Sequence, residues 1–283
     1  MLAFVLSGGT NKGALQVGAM RYLLENGHAP DFLVGSSIGS INAAYMAYNP
    51  TLEGVQGLGE LWQEVTQGDV FPGGWKTALW RFIRKESSLF PNDRWYEFVK
   101  RQAERVDRKY FGELELPCYV LATDLETGKS KVFGQNPNDS ILDALLASTA
   151  LPVMFPPWEY NGRIYIDGGV CHHIPICIAV DKGATHVVSL DIVNALEDQR
   201  TPNTILPLAQ RAFDILSHHN TVSNFDYLLF MGNMPHTYLT LQPGFPLPPT
   251  DFSKMEQLLD VGYQQTKGIM EGRITVSSPN HRA

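Results

Sequence analysis

Phe32-Leu33-Val34-Gly35-Ser36-Ser37-Ile38-Gly39 runs on into Ser40-Ile41-Asn42-Ala43-Ala44-Tyr45-Met46, an apolar run that passes through a Gly-x-Ser-x-Gly turn into a helical pattern. Gly35 and Gly39, two residues either side of Ser37, fit a strand–turn–helix elbow too tight for side chains at those positions. At the start of the helix, Ser37 would meet backbone N–H groups and the positive end of the helix dipole. This is the setting of an activated serine; an ordinary Gly/Ser turn between a strand and a helix is the alternative. Ser36 is the weaker nucleophile, because its flanks do not match the pattern.

Outward from this unit, short apolar runs alternate with helix-length amphipathic stretches. Strands are predicted over 2–6, 32–35, 118–122, 131–133, 163–166, 186–190 and 238–241, and helices over 13–25, 40–48, 141–147, 205–217 and 251–271. Such alternation builds a parallel or mixed α/β sheet covered on both faces, with its site outside the carboxyl ends of the strands. Residues 52–115 carry helical periodicity, aromatics and charges but no strand signal. They are predicted to be a helical insertion within a single domain spanning 1–283, and 243–249 a Pro-rich loop before the last helix.

The composition, 44% hydrophobic and 18% charged over 283 residues, suits a packed globular enzyme. A chain of this length buries enough apolar surface to fold without disulfides or a metal. Its formal net charge of −7 argues against nucleic acid as a partner. It leaves membranes open, because a local basic face acts within the screening length. The three cysteines, Cys118, Cys171 and Cys177, are odd in number and lack metal-ligand spacing, which points to reduced thiols, a cytoplasmic setting and no zinc site. The first apolar run has no basic flank and is too short to span a bilayer, so it is predicted to be a strand rather than a signal peptide.

Only one strand precedes the elbow, which counts against the α/β-hydrolase order, where several strands come first and a histidine closes the triad. Ser7-Gly8-Gly9-Thr10-Asn11-Lys12-Gly13 joins the first strand to the first helix. It matches neither the P-loop nor the dinucleotide spacing. An oxyanion hole or a plain tight turn remains. A base is still needed. Of His28, His172, His173, His186, His218, His219, His236 and His281, none sits in a catalytic context, though His172 and His173 lie close to a candidate loop and read as pocket wall. That loop, Arg163-Ile164-Tyr165-Ile166-Asp167-Gly168-Gly169, ends a strand in a carboxylate followed by two glycines, which can approach a serine closely. Taken bare, Asp-Gly-Gly is also a common turn.

The combination of Ser-Gly-Gly-x-x-Lys-Gly, Gly-x-Ser-x-Gly and a distant Asp-Gly-Gly resembles the patatin-like phospholipase family. So do Ala122-Thr123-Asp124-Leu125-Glu126-Thr127-Gly128 and the block from Ala147 through Leu151-Pro152 to Phe155-Pro156-Pro157. The likeness runs from Leu2 to about Pro175, in the family's order. It implies a three-layer α/β/α fold, a Ser37–Asp167 dyad without histidine and hydrolysis of fatty-acyl esters in lipids. Gly8, Gly9, Thr10, Lys12 and Gly13 would form the oxyanion hole, and no metal or organic cofactor is implied. The family usually has three consecutive glycines where this chain has Gly8-Gly9-Thr10, so the Thr10 N–H would donate only if its φ/ψ suits a non-glycine residue. Acyl transfer to a non-water acceptor, or a silent lipid-binding module, are the rival functions.

One further signal stands in the strand-free region. Trp75, Leu79, Phe82 and Ile83 fall on one helical face, with Lys76, Arg84 and Lys85 elsewhere. A helix docked on the core is the expected reading of such a face; an interfacial face against lipid is the alternative.

Overall fold

The structure is a computed structural model that describes residues 1–193, 205–230 and 234–273. Its first strand, β1 (Leu2–Leu6), is shut from solvent from Ala3 onward. Because successive side chains point to opposite faces of a sheet, Phe4 and Leu6 enter one core with Leu33, Val120 and Leu190. Ala3 and Val5 enter another with Phe32, Val34, Leu121 and Val187. This two-sided burial is what the unbroken apolar runs encode. The sheet is therefore the middle layer of three.

Eight strands make that sheet: β1, β2 (Phe32–Ser36), β3 (Cys118–Asp124), β4 (Ser130–Phe133), β5 (Trp158–Tyr160), β6 (Arg163–Asp167), β7 (His186–Ile192) and β8 (His236–Leu241). Their order is β5-β6-β3-β2-β1-β7-β8, with β4 also paired to β3. The run from β3 to β8 is parallel, whereas β4, β6 and β5 join through antiparallel pairs. One face carries α1 (Ala14–Glu25), α2 (Ile38–Tyr48), α3 (Leu52–Glu64), α6 (Asp93–Val106), α7 (Ile141–Ser148) and α10 (Met255–Met270). The other carries α8 (Ile176–Asp181) and α9 (Ile205–Phe230). Two short helices, α4 (Gln67–Val70) and α5 (Gly74–Ile83), lie between α3 and α6, and no strand falls in 52–115. At the crossing of α1 and α10, a Cβ on Gly18 would stand 1.9 Å from the Leu259 carbonyl oxygen, so only glycine lets these backbones meet.

Each predicted strand is present, β3, β7 and β8 two residues longer than read and β2, β4 and β6 one. Three features differ. The helix predicted to stop at 217 runs to Phe230, with its polar side chains after 217 satisfied inside the helix. Thr221 Oγ1, Ser223 Oγ and Asn224 Nδ2 donate to carbonyls four residues back. Strand β5 has only three residues and shows no periodicity, yet Asn161-Gly162 closes it onto β6. Both turn residues sit at positive φ, 50° and 71°, as a type I′ hairpin turn requires. Finally, the apolar face of α5 points outward: Trp75, Leu79, Phe82 and Ile83 are all exposed, against the expected docking on the core.

Candidate active site

Strand β3 pairs with three strands although a strand has two edges. Strand β4 occupies one edge along Val120–Thr123. On the other, β2 takes residues up to Leu121, opposite Ser36, and β6 takes over at Ala122, opposite Asp167. Where β2 leaves the sheet at the elbow, antiparallel β6 arrives head-on. That junction places Ser37 against Asp167.

The elbow itself is strained: Ser37 has φ 53° and ψ −130°, outside the regions open to ordinary L-residues. A Cβ on Gly35 would stand 2.5 Å from the Gly39 carbonyl oxygen, and one on Gly39 would stand 2.5 Å from that of Ser7. Both obstacles are backbone and cannot step aside. Gly39→Ala is therefore expected to cost at least ~1–3 kcal/mol of stability by overpacking. Chemical denaturation checks this; an unchanged midpoint would show that the elbow relaxes freely.

Ser37 Oγ donates to Asp167 Oδ2 at 2.6 Å, and Gly169 N–H donates to Oδ1 at 2.7 Å. The Ser37 N–H is anchored on Ser148 Oγ at 2.9 Å, a contact within the block that carries the family resemblance but not foreseen from it. Asp167 is 1% exposed. Burial pushes its carboxyl up to about 6, against the Ser37 and Gly169 hydrogen bonds and the charge of His173, which pull it down. A carboxyl whose pKa lies near neutrality, bonded to a hydroxyl, is suited to accept that hydroxyl's proton. Gly168 is needed where it stands, since a Cβ there would lie 2.3 Å from the Leu121 carbonyl oxygen. Ser36 is fully buried below this loop.

The loop after β1 is pinned around the serine. Gln16 Nε2 donates to the carbonyls of Ser7 and Leu190, Asn42 Nδ2 to that of Gly13, and Trp62 Nε1 to Asn42 Oδ1. Asn11 Nδ2 donates to the carbonyls of Pro248 and Asp251, which ties the Pro-rich loop to this turn. Gly8 lies so near Ser37 that a Cβ on it would stand 3.1 Å from Ser37 Cβ. The five positions read as an oxyanion hole are not equivalent. The Gly8 N–H donates to the His173 carbonyl and that of Lys12 to the Gly9 carbonyl, both at 3.2 Å, so neither is open to a substrate. Gly13 lies under Trp62 and Ile38, where a Cβ would meet the indole at 2.4 Å. Gly9 and Thr10 have no backbone acceptor among the described residues. Thr10 sits at φ 53°, a glycine-like angle rather than the one expected to suit a non-glycine residue. The Ile38 N–H, next after the serine, likewise has no acceptor among the described residues, and sequence reasoning passed it over.

Two cavities meet at this point. One, about 120 Å³, is walled by apolar side chains of α2, α3 and α6, among them Ile41, Leu61, Trp62, Phe98 and Val99. The other is more polar, with His173, Asp191, Asp214, His218 and Tyr238 on its walls. Ser37, Asp167, Thr10 and Leu151 border both. The Ser37 hydroxyl therefore lies between an apolar cavity and a more polar one.

The patatin-like phospholipase family model matches residues 4–180, more than half of the chain. The chain belongs to that family. Lysophospholipase NTE1 of Phaeosphaeria nodorum is 24% identical over 95% of this chain, and human patatin-like phospholipase domain-containing protein 6 is 24% identical over 96%. The chain spans only 18% and 20% of those relatives' lengths. Among solved structures, VipD from Legionella pneumophila shares the fold, with a TM-score of 0.54 at 16% identity, covering 95% of this chain and 66% of that one. No helix among the described residues is long and apolar enough to cross a membrane.

Within this patatin-like site the two adjacent histidines part company. His173 Nε2 donates to Asp191 Oδ1 at 3.1 Å, and Tyr238 donates its hydroxyl to Asp191 Oδ2 at 2.6 Å. Burial alone would raise the Asp191 carboxyl, but the His173 and Tyr238 hydrogen bonds override it and hold it below its ordinary value. Burial likewise opposes charge on His173, yet Asp191 and the charge of Asp167 outweigh it and raise its pKa. His172 instead lies 3.8 Å from Cys177 Sγ, and burial lowers its pKa. No signal in the sequence joins Asp191 and Tyr238 to His173; parallel pairing of β7 and β8 does. His173→Ala is expected to cost ~3–5 kcal/mol by stranding a buried carboxylate, whereas His172→Ala should leave the melting temperature within a few degrees. Equal effects of the two would remove the distinction. His218 borders the polar cavity with His173, while His172, read as pocket wall, borders neither cavity, nor do His28, His186, His219 and His236. His281 lies outside the described residues.

Proposed function

We propose that the chain is a lipid acyl hydrolase that cleaves fatty-acyl esters of phospholipids, lysophospholipids or related lipids through a Ser37–Asp167 dyad. The observation that carries this reading is the 2.6 Å Ser37–Asp167 hydrogen bond at the seam of an apolar and a polar cavity. In the proposed reaction the acyl chain fills the apolar cavity and the alcohol part of the ester faces the polar one. Asp167 takes the Ser37 proton as Oγ bonds to the ester carbonyl carbon. The resulting oxyanion is received by N–H groups of Gly9 and Thr10, with that of Ile38 beside them. As the carbonyl re-forms, the alcohol leaves with the proton from Asp167, and Ser37 keeps the acyl group. Water then gives its proton to Asp167 and its oxygen to the carbonyl. The acid departs, and Ser37 recovers its proton. An oxyanion-hole donor is typically worth ~3–4 kcal/mol, so much of the rate would rest on these backbone groups. In this reading the helices of residues 52–115 are an insertion of one hydrolase domain and supply much of the cavity wall.

The test is labelling with a fluorophosphonate, mapped by mass spectrometry, alongside product analysis on a long-chain lysophospholipid. Label on Ser37 with release of free fatty acid supports the proposal. Acyl groups recovered on another alcohol would make the chain a transferase, and an intact chain that takes no label would make it a silent lipid-binding module.

A further inference from the structure

Helix α5 is built inside out. Its inward face is small: Ala78 packs on the cluster of Phe71, Phe90 and Phe155, and Arg81 donates to the Ser88 carbonyl and hydroxyl at 3.0 and 3.2 Å. The large apolar side chains point away from the protein, with Trp75 71%, Leu79 49%, Trp80 55%, Phe82 64% and Ile83 68% exposed. Among the described residues no other helix leaves so many uncovered. A ten-residue amphipathic helix ordinarily turns such a face to the core.

The charges around this face have one predominant sign. Lys76, Arg84 and Lys85 stand against the single acidic Glu86, which lies 3.8 Å from Arg84 and 3.7 Å from the inward Arg81, in a chain whose net charge is −7. The Arg84 guanidinium lies over the Trp80 ring at 4.5 Å. Exposed tryptophans with a cationic rim are the composition of a helix lying in a bilayer interface. Neighbouring backbone extends the patch. Val153 is 48% exposed at φ 72°, and its carbonyl accepts from Leu89 N–H at 2.8 Å. Beneath α5, Phe71 and Phe155 belong both to the cluster that seats Ala78 and to the wall of the apolar cavity. The exposed face is thus one side-chain layer from the cavity that ends at Ser37.

We propose that the outward face of α5, together with Val153, is a docking surface for an anionic lipid bilayer. This deepens the lipid reading above and rests on it for its purpose, although docking itself needs no turnover. A second copy is disfavoured by charge, since an isologous contact would set the cationic rim against itself. The face of one ten-residue helix also falls short of the ~800 Å² per partner usual in a stable protein interface.

The experiment uses the full chain carrying Ser37→Ala, so that binding is read without hydrolysis. It is floated with vesicles of phosphatidylcholine alone or with added phosphatidylserine. Expected are at least ~10-fold tighter binding to the anionic vesicles and quenching of tryptophan fluorescence by brominated lipid. Adding Trp75→Ser and Phe82→Ser should weaken that binding ~10-fold or more without lowering the melting temperature, because these side chains already face water. On the Ser37-intact chain, the same pair should spare a short-chain soluble ester while reducing turnover of vesicles. Undiminished vesicle binding by the pair, or a fall in melting temperature with it, would overturn the proposal. So would a dimer in sedimentation that the pair dissolves. If the docking results hold while the intact chain hydrolyses nothing, the hydrolase reading fails and the surface stands.

Discussion

Replacing Ser37 by alanine is expected to lower ester hydrolysis by at least ~10³-fold, as removal of a nucleophile from a unit that acts together does, and to abolish fluorophosphonate labelling. The fold should survive. Alanine keeps the backbone at φ 53° no less readily than serine, and the flanking Gly35 and Gly39 contacts are untouched. What changes is electrostatic: Asp167 loses the hydroxyl donor that favours its charged form, so its carboxyl should titrate at a still higher pH in the variant. Activity and melting temperature measured together check this. Retained turnover, or label transferred to Ser36, would reject Ser37; the latter is unexpected because Ser36 is fully buried at the end of β2.

Asp167→Asn is expected to be nearly as damaging, because the two groups act as one unit and an amide cannot take the proton. In the unmodified chain, activity should rise as pH passes through about 6, where burial has placed this carboxyl, since only the carboxylate form is a base. The same shift makes the variant more stable. Below about pH 4 the carboxyl is protonated in both folded and unfolded chains and costs nothing. Between there and about 6 the unfolded chain releases its proton while the folded one keeps it, so stability falls as pH rises. Above that range the full cost of the buried charge, about 3 kcal/mol from a shift of some two pK units, is present. The amide introduced by Asp167→Asn carries no such charge. The variant should therefore melt several degrees higher at pH 8, with the gain shrinking towards pH 4. A variant that is inactive and also less stable at pH 8 would mean that the carboxylate is held by more than burial suggests.

The residues of this site lie far apart in the chain, and their legibility follows how local their physics is. The elbow was readable because its geometry is set within five residues: a strand, a strained serine and two glycines that leave room for the turn. The central strands β1 and β2 were readable because burial on both faces demands apolar side chains along them. The hairpin of β5 was missed, because periodicity over three residues carries no weight, although Asn161-Gly162 is the local turn signal that closes it. The loop after β1 was legible as a loop, but which of its N–H groups stay open was not. Whether a backbone N–H is free depends on which carbonyl lies opposite, and the His173 carbonyl reaches Gly8 only in the folded chain.

What the sequence by itself determined, then, is most of the elements, the strained serine and a carboxylate on a bare glycine turn, because steric fit and side-chain alternation act between near neighbours. Only the tertiary structure decided their convergence. Strand β3 lends one edge first to β2 and then to β6, and that places Asp167 at 2.6 Å from Ser37 with the protein around it to raise its pKa. The pairing of β7 with β8 supplies Asp191 and Tyr238 to His173 in the same way. The direction of α5 belongs to this second class: an apolar stripe is identical in sequence whether it meets a core or faces outward. The space beneath it was already filled by Phe71, Phe90 and Phe155, leaving room only for Ala78.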